Sequence, residues 1–178
     1  MTTETDIREN LSGIRARIAD AAEAAGRPAD AVTLVAISKA FPRETVRIAL
    51  AQGHRVFGEN RVQEADEKWP ALKDEFPDAR LHLVGPLQRN KARRAVKLFD
   101  VIETIDRAKL ARAVAAEIQE SGRAVRCFVQ VNTGEEPQKG GVLPADADAL
   151  IAECRADIGL AVDGLMSIPP IDEEPSLH

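Results

Sequence analysis

The stretch VTLVAISKAF, residues 32–41, decides how the fold of this chain is interpreted. Its first seven residues, Val32 to Ser38, are apolar almost throughout instead of alternating, which predicts a strand that is covered on both faces. Lys39 follows this strand directly, and Pro42 stands close behind it. A lysine in that place keeps its stem against apolar surface, so we expect its amine to face a defined partner.

The same succession of short apolar strand and amphipathic helix recurs along the chain. We predict strands at 32–38, 55–58, 81–85, 101–104, 125–131 and 160–168. A long helix precedes the first strand, because Ile7, Leu11, Ile14, Ile18 and Ala22 share one helical face. Further helices are predicted at 43–51, 59–73, 88–98, 106–122 and 144–154. Six such alternations predict a parallel sheet with right-handed connections.

Two α/β architectures fit this pattern: an open doubly wound sheet and a TIM-type (β/α)8 barrel. The turn after the first strand lacks a G-x-G-x-x-G sequence, which argues against a dinucleotide site of the doubly wound kind. A barrel usually takes about 250 residues and eight strands. This chain has 178 residues and about six strand–helix units after its N-terminal helix. If the fold is a barrel, we expect the chain to stop before it is closed.

Composition narrows the classes of function. The chain is 44% hydrophobic and 30% charged, as expected for one globular domain over residues 1–178. Its net charge of −5 argues against nucleic acid or an anionic membrane as a partner. Cys127 and Cys154 show no zinc-site spacing and fit buried thiols in a reducing cytoplasm. The polar, acidic start MTTETDIREN is unlike a signal peptide.

Ligands of parallel α/β folds bind at the carboxyl ends of the strands, so these positions hold the candidate site residues. For Lys39 two interpretations stay open: a lysine that merely extends to solvent, or a desolvated amine that forms a Schiff base with an aldehyde. Asn60 is either a ligand of the site or, with Glu59, a helix cap. The strand-end positions are Ser38, Lys39, Gly58, Glu59, Asn60, Gly85, Leu87, Gln88, Asn90, Thr104, Asn132, Thr133, Met166, Ser167 and Ile168.

Three further features have a plain structural interpretation beside the functional one. His82 lies within a predicted strand and suits a hydrogen-bonded core histidine. The basic run RNKARRAVK, 89–97, lacks interleaved aromatic residues, which favours a solvated helix face over an RNA or phosphate site. The loop NTGEEPQKGG, 132–141, offers Lys139 and glycines to an anion, but without a Walker pattern.

Six segments in this order closely resemble the pyridoxal phosphate homeostasis protein family (YggS/PROSC-like), single-domain relatives of the alanine racemase N-terminal barrel. The similarity extends from about Leu11 to Pro170, and the ordered set is far more specific than any one motif. The segments are LVAISKAFP (34–42), FGENRVQEA (57–65), LHLVGPLQRNKA (81–92), ETIDRAKLA (103–111), FVQVNTGEEPQKGGV (128–142) and GLMSIPP (164–170).

The resemblance implies a TIM-type barrel that holds pyridoxal 5′-phosphate (PLP). Lys39 matches the lysine that carries PLP as an internal aldimine, Asn60 matches a residue that lines the pocket, and Met166 and Ser167 fall where the sixth strand meets the cofactor. It implies a cytoplasmic, monomeric protein of vitamin B6 homeostasis without established turnover. Its partners would be PLP and PLP-dependent apoenzymes.

The chain departs from the family pattern at its C-terminal end. Family members continue with two strand–helix units that carry a serine loop for the phosphate and an arginine near the pyridine nitrogen, whereas this sequence ends at EEPSLH. We therefore expect a C-terminally incomplete barrel that lacks strands seven and eight. As a consequence, we expect weak PLP binding and exposed edges at strands one and six.

Four alternatives stay open at this point. A PLP-dependent amino-acid racemase would resemble two-base enzymes that use a tyrosine from a second domain, and this chain contains no tyrosine. A Schiff-base aldolase would need an acid–base group near Lys39, for which Glu59 and Asp106 are the candidates. The basic run 89–97 could serve an interaction protein. Finally, the chain could be a fragment that binds nothing.

Overall fold

The six strands form one parallel sheet in the order β1-β2-β3-β4-β5-β6. In this computed structural model, which describes residues 3–169, each strand therefore pairs with the strand that follows it in sequence. A doubly wound sheet would reverse its strand order at a switch point, and this sheet does not. The prediction of a TIM-type barrel arrangement is confirmed: within residues 3–169, five strand–helix units and a sixth strand form an open series.

The strands are short and the helices pack along one face of the sheet, each against the next. The strands are β1 (Ala36–Ile37), β2 (Val56–Glu59), β3 (Arg80–Leu83), β4 (Val101–Ile105), β5 (Arg126–Gln130) and β6 (Gly164–Met166). The helices are α1 (Glu4–Ala24), α2 (Arg43–Ala51), α3 (Val62–Glu75), α4 (Ala92–Leu98), α5 (Ala108–Ser121) and α6 (Pro144–Glu153). Short 3₁₀ turns at 29–31 and 89–91 and a π-helical turn at 154–158 connect them.

The two faces of the sheet differ in character. Every second strand residue points to the helices, where Phe57, Leu81, Ile102 and Val129 are fully or almost fully buried in one core. The intervening residues point to the concave inner face, where His82 and Glu103 carry polar groups. The hydrophobic effect thus stabilises the outer side of the sheet and leaves the inner side free for chemistry.

The first and last strands are shorter than predicted. The ladder of β1 covers only Ala36–Ile37 instead of 32–38, and that of β6 covers Gly164–Met166 instead of 160–168. Ile37 in β1 is 43% exposed, so the expectation of a first strand buried on both faces was wrong. Leu165 in β6 is 60% exposed. Each of these strands pairs on one side only within residues 3–169.

Two predicted helix starts were also wrong. Glu59 is the last residue of β2, and α3 begins at Val62 with Arg61 as its cap. Asp106 does not cap α5, because Arg107 occupies that place and instead forms an ion pair with Asp106. The end of α5 was predicted correctly: Gly122 adopts a left-handed conformation (φ 63°) there. The predictions for residues 170–178 lie outside the described residues.

His54 connects α1 to the start of β2. Its Nδ1 lies 3.2 Å from Nη2 of Arg15, and its Nε2 lies 2.7 Å from the carbonyl oxygen of Val56. Since a guanidinium can only donate, Nδ1 is the acceptor and Nε2 carries the proton, which makes the ring neutral. Burial is the main cause that lowers the pKa of His54, and the positive charge of Arg15 adds to it.

Stability should therefore fall as the pH drops from about 7.5 to 5.5, across the ordinary histidine pKa of about 6.5. In this range the unfolded chain takes up a proton that folded His54 resists, so protonation favours unfolding. Urea unfolding at both pH values measures the loss, and His54→Asn should reduce it. An equal loss in this variant would contradict the assignment.

Within residues 3–169, no helix combines the length and apolar character that crossing a bilayer requires.

Candidate functional site

A cavity of about 550 Å³ opens at the carboxyl ends of the strands on the inner face. Volumes of about 300–1,000 Å³ are typical of sites for small molecules and cofactors. One side of this cavity is apolar, and the opposite side is formed by the loop that follows β5. The lining residues are Val35, Ile37, Lys39, Asn60, Val84, Gly85, Pro86, Glu103, Gln130, Val131, Asn132, Gln138, Lys139, Gly140, Met166, Ser167 and Ile168.

The four residues predicted for the site all line this one cavity. Lys39 follows β1, Asn60 follows β2, and Met166 and Ser167 lie at the end of β6. Positions far apart in sequence meet here because parallel strands present their carboxyl ends at the same edge of the sheet. The roles of these residues toward a cofactor stay predictions.

Among the described residues, two lysines line the cavity, and their surroundings differ. Lys139 is engaged: its Nζ lies 2.5 Å from Oε1 of Glu136 and donates to the carbonyl oxygen of Ile168 at 3.2 Å. Lys39 is exposed, and within residues 3–169 its Nζ has no hydrogen-bond or ion-pair partner. Within residues 3–169, Lys39 is thus the cavity lysine whose amine has no partner, and its exposure does not match the expectation of a desolvated amine.

Lys39 lies in a tight turn formed by residues 38–41. The amide of Phe41 donates to the carbonyl oxygen of Ser38 at 3.2 Å, which closes the turn. Ala40 adopts φ 62°, a left-handed conformation that costs an L-residue about 1–2 kcal/mol. Backbone strain of this kind persists only where the surroundings impose it, and it is concentrated at functional sites.

Sequence reasoning missed two polar residues on the inner face. Glu103 lines the cavity and lies 2.6 Å from Nδ1 of His82, on the neighbouring strand. Gln130 also lines it and donates to the carbonyl oxygen of Gly140 at 3.1 Å. The available signals were the alternation of polar residues in FVQVN (128–132) and the charged Glu103 within the otherwise short apolar strand VIETI (101–105).

Asn132 organises the loop after β5. Its Nδ2 donates to the carbonyl oxygen of Glu136 at 2.9 Å, and its Oδ1 accepts from the amide of the same residue at 3.2 Å. This pair of bonds folds the loop back over the cavity, where Gln138 and Lys139 join the lining.

Several candidates lie elsewhere. Gln88 faces a neighbouring polar groove with Lys91 and Arg107, and Thr104 is buried within β4. In the basic run, Arg94 pairs with Asp66, and Arg93 lies 3.6 Å from Glu120. Ion pairs between exposed side chains of this kind indicate that the basic run is a solvated helix face.

The remaining nucleophiles and metal-ligand types form no second site. Burial raises the pKa of the Cys127 thiol to about 12 and also raises that of Cys154, so both stay protonated near neutral pH. In the part of the chain that the structure describes, no three His, Cys, Asp or Glu residues come together as metal ligands would.

Gly85 fixes the position of Asn60. A Cβ atom on Gly85 would lie 2.2 Å from the backbone oxygen of Asn60 and 2.6 Å from its Cα. Contacts this short with backbone atoms cannot be relieved by a change of rotamer. The chain after β2 can therefore approach the chain after β3 only because residue 85 has no side chain.

We expect Gly85→Ala to lower the free energy of unfolding by about 1–3 kcal/mol, because it forces Asn60 away from its place. Gly13→Ala is the matched control: it lies within α1 with nothing within 4 Å of the added Cβ. That change should raise stability by about 0.5–1 kcal/mol. Urea unfolding measures both, and an unchanged stability for Gly85→Ala would contradict the close approach.

The chain is similar to known proteins over nearly its whole length. The family model described as alanine racemase, N-terminal domain, matches residues 10–178. The pyridoxal phosphate homeostasis protein of Pseudomonas aeruginosa is 38% identical over 173 residues, which cover 97% of this chain and 74% of the relative. The protein of the same name from Vibrio alginolyticus is 35% identical over 178 residues, covering 98% and 76%.

A solved structure shows the same likeness in three dimensions. PipY of Synechococcus elongatus PCC7942, determined with PLP bound, matches with a TM-score of 0.78 and 38% identity. The match covers 93% of this chain and 71% of that one. With the parallel strand order and the cavity at the strand ends, these similarities show that the chain belongs to the alanine racemase N-terminal domain family and, within it, to the pyridoxal phosphate homeostasis proteins.

Proposed function

We propose that this chain binds pyridoxal 5′-phosphate in the cavity at the strand ends and holds it covalently on Lys39. The observation that carries the proposal is the unpartnered Nζ of Lys39, on a strained turn at the cavity wall. The name of the curated relatives and the PLP-bound form of PipY support the choice of cofactor.

The residues present fit such a ligand. A flat aromatic ring suits the apolar side chains of Val35, Ile37, Val84 and Met166, which all line the cavity. The side-chain amide of Asn60 also lines the cavity, and an amide offers both a donor and an acceptor to polar groups of a ligand. At Gly140 an added Cβ would meet nothing closer than 3.9 Å, so a ligand could approach the backbone closely there.

Lys39 supplies the covalent bond. With PLP bound, the nitrogen of Lys39 would take the place of the aldehyde oxygen in a C=N bond, and that oxygen would leave as water with the two hydrogens of the amine. Once bound, PLP supplies an electron sink. The protein's own part would be to present the amine of Lys39 at the cavity wall.

We further propose a carrier of PLP rather than an enzyme with its own turnover. The names of the relatives refer to homeostasis and not to a reaction. A racemase of the related two-base kind would need a tyrosine, and the sequence contains none. The release of PLP to apoenzymes of PLP-dependent enzymes would be its output.

The setting we propose is the cytoplasm, with the chain acting as a monomer and without nucleic acid or membrane as partners. Its two cysteines are free and buried, which supports a reducing compartment. The net charge of −5 and the ion-paired basic run support the exclusion of nucleic acid.

Addition of PLP to the chain should give the visible absorbance of lysine-bound PLP. Borohydride reduction and peptide mapping should then place the adduct on Lys39. We expect Lys39→Ala and Lys39→Arg to abolish the band, because neither side chain can form the bond. Lys109→Arg, on the exposed face of α5, is the matched control and should bind as the unaltered chain does.

An adduct on Lys139 in the unaltered chain would contradict the proposal, and so would an unchanged band in Lys39→Ala. Thermal unfolding by circular dichroism is recorded for each variant, so that a lost band can be assigned to chemistry and not to unfolding. Interconversion of D- and L-alanine by the PLP-loaded chain, detected chirally, would refute the carrier and favour a racemase.

A further inference from the structure

The turn that carries Lys39 is held from behind by charged groups that lie outside the cavity. The side chain of Lys68, on α3, reaches across to this turn. Its Nζ donates to the carbonyl oxygen of Ser38 at 2.8 Å and to that of Phe41 at 3.0 Å. Both ends of the turn are therefore bound by a single ammonium group.

Lys68 is itself fixed by a buried carboxylate. Its side chain is only 6% exposed, and its Nζ lies 2.7 Å from Oε1 of Glu59, whose side chain is fully buried. The same oxygen accepts from Oγ of Ser38 at 2.7 Å and from Nε1 of Trp69 at 3.1 Å. Three donors from two elements thus converge on one atom of Glu59.

A second carboxylate holds the strained residue of the turn. Oε1 of Glu64 accepts from the amide of Ala40 at 2.7 Å and lies 3.4 Å from Nζ of Lys68. Without a glycine at position 40, a left-handed conformation needs such external bonds to persist. Glu64 and Lys68 stand four residues apart on α3, so they share one helical face.

None of these groups lines the cavity, because the alternation of the strand separates them from it. Ser38 and Glu59 point to the helices, while their neighbours Lys39 and Gly58 point to the inner face. We infer that Glu59, Lys68 and Glu64, here called the turn clamp, are positioning residues that aim the amine of Lys39 at the aldehyde of PLP. This inference rests on the proposed function.

The clamp predicts a defect that depends on the aldehyde. Misplacing Lys39 weakens covalent binding but leaves the non-covalent contacts of the ligand with the cavity intact. Pyridoxamine 5′-phosphate has the same ring and phosphate and lacks the aldehyde, so it reports non-covalent binding alone. The ratio of the two dissociation constants therefore isolates the position of the amine from general damage to the site.

The test variant is Glu59→Gln combined with Lys68→Met, which removes both buried charges and keeps the side-chain volumes similar. Its apparent Kd for PLP should rise at least tenfold, while the Kd for pyridoxamine phosphate stays within about twofold. Reduced adduct on Lys39 should fall in proportion. Glu64→Ala, at a more exposed position, should show the same selective loss, about threefold, with little risk to folding.

Lys73→Met is the matched control. Lys73 lies on the same helix and also bonds a carboxylate and a carbonyl, those of Asp100 (2.7 Å) and Leu98 (3.0 Å). These partners are remote from the turn, so the ratio of the two dissociation constants should not change. A loss of stability without a change in ratio is the signature of a merely structural lysine.

Each outcome supports or overturns either the turn clamp or the proposed function. If the double variant folds and keeps the wild-type ratio, or if it does not fold and Glu64→Ala keeps that ratio, the clamp is overturned. An unaltered chain that binds PLP no better than pyridoxamine phosphate, without adduct on Lys39, refutes the proposed function instead. A selective loss of PLP affinity in either variant supports the clamp.

Discussion

The alternation of side chains at the end of the first strand is the constraint on which the site depends. Since successive strand residues point to opposite faces, Lys39 can face the cavity only if Ser38 faces the helices. The second strand repeats this geometry, with Gly58 on the inner face and Glu59 buried against α3. The same few peptide units therefore carry side chains of both the cavity and the helix-packed core. A substitution on the core side is expected to shift the side chains on the cavity side.

The buried charges of Glu59 and Lys68 are better explained by the single conformation that they impose on the turn than by a gain in the free energy of unfolding. A buried ion pair gains little over an apolar pair of the same size, but removal of one partner costs about 3–5 kcal/mol. Oε2 of Glu59 has no hydrogen-bond partner within the described residues, so the donors to Oε1 (Lys68, Ser38 and Trp69) offset the cost of burying this carboxylate. What the pair achieves is a single geometry for a turn that contains a left-handed alanine, at a cost of about 1–2 kcal/mol in backbone strain.

Periodicity alone predicted the six parallel strands and the helices between them, and it placed Lys39, Asn60, Met166 and Ser167 at one edge of the sheet. It could not define the clamp. A lysine on an amphipathic helix has the pattern of a solvated residue, and only the tertiary structure shows that Lys68 is buried. The predicted ends of β1 and β6 were wrong for a related reason. The length of a strand depends on the strands that pair with it, and the sequence pattern does not reveal how many there are. That two more strand–helix units complete the barrel stays a prediction.

The turn that carries Lys39 and the remaining walls of the cavity come from different parts of the chain. The contacts that hold the turn of Lys39 join residues 21, 24 and 30 positions apart, all between β1 and α3, so they involve none of the strands β3 to β6. The opposite wall is built by β6 and by the loop that Asn132 folds, which approach from the other end of the open sheet. Reactivity of the amine and affinity for the rest of the ligand are therefore separable properties of this fold. A protein that must both hold and release an aldehyde gains from that separation, since the far wall can change without disturbing the turn that carries the amine.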